Sequence, residues 1–122
     1  MATNIAYTAA NRLDATTGVN QLASGKITFP ATAIVAADSI VITLGFKPRF
    51  VQFCNATSRI MVEFYDGMDA NTCIKTAAAG TRTIETTNGG ITVTDTGFSV
   101  LQNSTLAAIL ASEVCYWRAV GN

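Results

Sequence analysis

Between Phe50 and Tyr65 the chain reads FVQFCNATSRIMVEFY: a dense apolar run, a short polar break, then an alternating segment. This stretch limits the fold more than any other. Phe50 to Cys54 is apolar enough for a buried strand. Asn55-Ala56-Thr57-Ser58 carries turn signals, because Asn and Ser side chains bond the nearby backbone. Ile60, Val62 and Phe64 then alternate with Arg59, Met61 and Glu63, the period of two that marks a strand with one buried face. Pro48 stands just ahead of the first strand, where its missing N–H breaks no ladder bond. The spacing predicts a β-hairpin at the centre of a β core, with Phe50, Phe53, Ile60, Val62 and Phe64 as core residues.

Strand signals continue on both sides. Lys26 to Phe29 and Ile40 to Leu44 read as short strands before the hairpin. Thr72–Thr76, Thr81–Thr86, Ile91–Thr94, Phe98–Leu101 and Cys115–Val120 follow it, divided by Ala77–Gly80, Asn88-Gly89-Gly90 and Asp95-Thr96-Gly97. Asn and Gly suit such turns because they tolerate positive φ. Leu106 to Ala111 favours one or two helical turns. In Cys115–Val120, Tyr116 and Arg118 share one face while Cys115, Trp117 and Ala119 share the other. Trp117 is expected in the core and Tyr116 at an interface. Short strands at this spacing predict a single all-β domain over residues 25–122, an antiparallel β-sandwich of jelly-roll-like kind. Residues 1–24 are rich in Ala, Thr, Asn and Gly, with apolar points only at Ile5, Tyr7, Leu13, Val19 and Leu22. They read as an extended N-terminal arm that orders against a neighbouring subunit.

The surface implied by the composition is unusual. Charged residues make up 13% of the 122 and the formal net charge is zero, where a soluble domain carries about 25% charged residues. Such a surface is wetted by Thr, Ser and Asn or covered by other protein, so a homo-oligomer, dimer or trimer, is expected. The eight Lys and Arg are spread from Arg12 to Arg118, whereas nucleic-acid binding uses a concentrated positive footprint. No direct nucleic-acid contact is expected. No apolar run reaches the about 18 residues of a membrane helix, so no membrane partner is expected. The first residues lack a basic-then-apolar export signal, which points to synthesis in the cytoplasm.

Chemistry has few carriers. With no His, Ser-His-Asp and Cys-His arrangements are excluded. No nucleotide-binding Gly-rich motif is present, and no catalytic residue or cofactor is assigned. Cys54, Cys73 and Cys115 are odd in number and widely spaced, a poor disulfide framework and one ligand short of a structural zinc site. They are expected to remain thiols. Glu63, Asp66 and Asp69 form the one acidic cluster, read as a solvated strand end. Asp66, Asp69 and Asn71 lack the EF-hand pattern, and no metal site is assigned. Asn55-Ala56-Thr57 and Asn103-Ser104-Thr105 match the glycosylation sequon but read as turns.

Several short runs carry a family resemblance. They are Gly45-Phe46-Lys47-Pro48-Arg49-Phe50-Val51, the turn residue Asn55, Tyr65-Asp66-Gly67-Met68, Ala78-Ala79-Gly80-Thr81-Arg82-Thr83 and Tyr116-Trp117-Arg118-Ala119-Val120-Gly121. Together, over residues 40–122, they resemble small virion proteins of tailed bacteriophages, of the capsid cement or decoration type. The resemblance implies a structural protein on the capsid exterior, made in the bacterial cytoplasm, with the major capsid protein and further copies of itself as partners. It implies no enzymatic activity. Lys47 and Arg49 cap the rim of the hairpin whose entry Pro48 stiffens, or pair with acidic groups on the capsid, beside interface positions Ile5, Tyr7, Leu13 and Tyr116. The alternative is a tail or head-fibre component that reads a carbohydrate receptor through Tyr65, Asp66 and Asn71.

Overall fold

The computed structural model describes residues 8–13 and 21–121, with side chains from residue 21 onward. Ten strands run in chain order: β1 (Thr8–Leu13), β2 (Leu22–Thr28), β3 (Ser39–Thr43), β4 (Phe50–Asn55), β5 (Ile60–Tyr65), β6 (Cys73–Thr76), β7 (Arg82–Glu85), β8 (Ile91–Thr94), β9 (Gly97–Leu101) and β10 (Val114–Val120). They form two antiparallel sheets. One has seven strands in the order β1-β2-β10-β4-β5-β6-β7, and the other has three in the order β3-β9-β8. From β4 to β7 the chain meanders between sequence neighbours. Elsewhere it interlocks: β10 enters between β2 and β4, and β9 between β3 and β8.

The core lies between the sheets. Val51, Phe53, Val62, Phe64, Cys115, Trp117 and Ala119 point into it from the large sheet, and Ile40, Ile42, Ile91, Phe98 and Val100 from the small one. Phe98 and Trp117 join the two layers edge to face, with ring centroids 5.5 Å apart, a geometry aromatic quadrupoles favour. Ile60, expected in the core, is buried too. Phe50 is not: it is half-buried on the outer face of β4. The cause is Asn55, fully buried at the inward end of the same strand. Val51, Phe53 and Asn55 take the inward positions, which leaves Phe50, Gln52 and Cys54 outward.

Asn55 is buried because all its polar capacity is used. Its Oδ1 accepts the Thr57 and Ser58 backbone N–H groups at 3.1 and 3.0 Å. Its Nδ2 donates to Glu113 Oε1 at 2.8 Å. The Ser58 hydroxyl donates to the same carboxylate oxygen, and the Val114 N–H donates to Thr57 Oγ1. The hairpin turn is thereby tied to the start of β10, and no buried donor on Asn55 is left to incur a desolvation cost.

Leu106–Ala111 does not form helix, and no helix occurs among the described residues. Asn103 Oδ1 caps the Thr105 and Leu106 N–H groups, and Asn103 O accepts from the Ala107 N–H. That single turn ends where Ala107 adopts a φ of 61°. Leu106, Ala108 and Ile109 are all fully buried. A second left-handed residue at Ser112, with a φ of 63°, turns the chain again before β10, and a right-handed helix takes up neither conformation. Within the expected arm, Thr8–Leu13 pairs with β2, Leu13 standing opposite Ala23. Ile5 and Tyr7 lie outside the described residues.

Candidate functional site

Nothing among the described residues covers the outer face of the large sheet. Strand registers arrange it in rows that run across the strands. The first row is Leu22–Val120–Phe50–Tyr65, wholly apolar or aromatic. The second is Ser24–Arg118–Gln52–Glu63–Ile74–Ile84. The third is Lys26–Tyr116–Cys54–Met61–Thr76–Arg82.

Contacts within and between the rows hold the side chains in place. The Phe50 and Tyr65 rings pack at 5.2 Å between centroids. Lys26 Nζ lies 5.9 Å from the Tyr116 ring centroid, and the Arg118 guanidinium lies 6.0 Å from that of Phe50. Both distances suit cation–π attraction. Gln52 Nε2 donates to Met61 Sδ at 3.1 Å. Glu63 is 7% exposed and accepts from Arg82 Nη2 at 2.8 Å. Leu22, Tyr65, Tyr116 and Ile84 nevertheless remain 40 to 68% exposed. Tyr, Met and Arg beside aliphatic residues, with acidic groups scarce, is the composition of the centre of a protein interface.

The remaining expected positions lie at one end of the sandwich. Lys47, Pro48, Phe64, Asp66, Gly67, Met68, Ala70 and Val93 line a cleft of about 280 Å³. Arg49 Nε sits 3.4 Å from Asp66 Oδ2, with both side chains largely exposed, so the pair adds little stability. The acidic cluster is divided among different tasks. Glu63 is held by Arg82 on the outer face, Asp66 faces Arg49, and Asp69 lies in the loop that follows. Asn71 Oδ1 accepts the Gly90 N–H at 3.2 Å and holds that loop against β8. Among the described residues no group of three or more His, Cys, Asp or Glu is placed to hold a metal.

The three cysteines are free thiols, with Cys73 and Cys115 buried and Cys54 half-buried on the outer face. Burial pushes the Cys73 and Cys115 thiols from 9.0 up to about 12, with smaller contributions from Glu85 and Cys54 respectively. The unfolded chain releases these protons near 9 and the folded chain holds them to about 12. Their contribution to stability is therefore present below pH 9 and is lost as pH rises toward 12. In mildly alkaline buffer, alkylation followed by mass spectrometry is expected to leave Cys73 and Cys115 unmodified until the protein is denatured. Rapid labelling of either in the folded protein contradicts the placement.

Glu113, which joins the hairpin turn to β10, carries no signal in the sequence: it is one acid in a loop with no periodic neighbour. The rows of the outer face escape sequence reading for a different reason, since they depend on which strands are neighbours. No family model matches the chain, and neither the curated proteins nor the solved structures include a match to it.

Proposed function

We propose that the protein is a structural component of a tailed-bacteriophage virion, a cement protein that binds the outside of the head as a homo-oligomer and stabilises it. The observation that carries this reading is the uncovered outer face of the seven-stranded sheet, on which Leu22, Tyr65, Ile84 and Tyr116 stay exposed in a chain with few charges. Exposed apolar surface of this extent marks an interaction site. The family resemblance of the Gly45–Val51, Tyr65–Met68, Ala78–Thr83 and Tyr116–Gly121 runs gives that site its setting. The protein works by contact area, not by catalysis, with the major capsid protein and copies of itself as partners.

A jelly-roll-like sandwich and an N-terminal arm belong to this proposal. The interleaving of β2-β10-β4 in one sheet with β3-β9 in the other supports the first. The second is supported by the polar, sparsely anchored sequence of residues 1–24, whose Thr8–Leu13 part runs along the sheet edge. From there the arm reaches a neighbouring subunit. The test is stoichiometry in purified virions, where the amount of this chain is expected to follow the number of capsid subunits.

A further inference from the structure

We infer that the outer face of the large sheet docks on an acidic surface with an apolar edge on a different protein, and is not the contact between copies of this chain. The inference rests on the cement reading and assigns it a surface and a partner chemistry.

Size comes first. Seven strands spaced about 4.8 Å apart and about 20 Å long give a face of about 650 Å². A standard interface takes about 800 Å² from each partner. The face and its rim are thus enough for one specific contact.

Charge then selects the occupant. The face carries Lys26, Arg82 and Arg118 against the single acid Glu63. The other described acids, Asp38, Asp66, Asp69, Glu85, Asp95 and Glu113, lie off it, so a chain of zero net charge presents a positive face. Glu63 is buried and already ion-paired with Arg82. Lys26 and Arg118 have no carboxylate partner among the described residues and stand over aromatic rings. They occupy the β2–β10 half of the face. In a two-fold contact between copies, each face meets its own likeness. Lys26 and Arg118 would then meet cations, apolar groups or an acid already engaged, and none of these neutralises them. A surface with carboxylates beside an apolar edge meets both the cations and the Leu22–Val120–Phe50–Tyr65 row.

The experiment uses the full chain and heads of the encoding phage assembled without it. Three variants are compared with wild type: Lys26→Glu with Arg118→Glu, Tyr116→Ser, and Thr43→Glu as a control on the outer face of the small sheet. Thermal melts first establish that each is folded. The double reversal is expected to weaken head binding roughly 10–100-fold, as interfacial charge reversal does, and Tyr116→Ser to weaken it as well. Thr43→Glu binds normally, and all three keep the wild-type oligomer by light scattering. Wild-type binding should also weaken as salt rises. Undiminished binding by folded face variants overturns the inference and leaves the cement reading standing. An oligomer lost in those variants shows that the face joins copies of the chain, which also overturns the inference. Wild-type protein that fails to bind heads overturns the cement reading, and the inference with it.

Discussion

Replacing Phe53 with Ala is expected to remove about 3–5 kcal/mol of stability, the usual result of deleting a buried Phe. The ring is fully buried at the middle of β4. It stands between Val62 on β5 and Trp117 on β10, the residues opposite it in register. Both neighbours are buried and belong to the same core. Their strands are fixed by backbone pairing on both sides, so the cavity has little means of collapse. A domain with a total of about 5–15 kcal/mol is left marginal by the change. The urea midpoint should fall sharply with little change in slope. An unchanged midpoint would show that this hairpin is not at the centre of the core.

Gly97→Val is expected to have the second large effect, by a different mechanism. Gly97 opens β9 opposite Thr43 of β3. A Cβ there would lie 2.0 Å from the Ile42 carbonyl oxygen and 3.1 Å from its carbon. Those atoms are backbone, so no rotamer change relieves the clash. The strands must separate, and β9 is the central strand of the small sheet. Overpacking costs about 1–3 kcal/mol, occasionally more, and here it also strains the ladder that holds Phe98 against Trp117. The expected result is a melting temperature lowered by several degrees, following the usual relation between free energy and Tm, together with altered near-ultraviolet dichroism from Trp117. A variant with wild-type melting and dichroism would contradict the close approach of β3 and β9. Gly67 makes a contrasting site: nothing lies within 4 Å of a Cβ there, and its φ of +95° is the only obstacle.

Much of this architecture was legible because strands write their faces into the sequence. The alternation in β5 and β10 distinguishes Val62 from Met61 and Trp117 from Tyr116 without knowledge of the neighbours. Asn55 also announces its turn. Phe50 was misassigned because β4 has an aromatic on each face, and the inward face ends in a polar residue. Its amide donors are satisfied by Glu113 and the Ala107 carbonyl, both distant in sequence. Leu106–Ala111 follows local propensity on paper, but the left-handed Ala107 and Ser112 end the turn before a helix can form. β1 carries almost no apolar pattern, because an edge strand such as TAANRL is held by backbone pairing. The outer face is the least legible feature. Period two shows that Arg118 and Tyr116 share a face, but not that Lys26 of β2 and Phe50 of β4 lie beneath them. That follows from β10 entering between two strands far apart in the chain.

Whether this surface serves a capsid is decided by counting molecules in the virion. Purified virions of the encoding phage, digested and measured with isotope-labelled standard peptides from this chain and from the major capsid protein, give the ratio between the two. The cement reading predicts a fixed ratio set by the capsid lattice, so that the chain is among the abundant virion proteins. A count matching one tail or a small set of fibres, or the absence of the chain from purified particles, would contradict it.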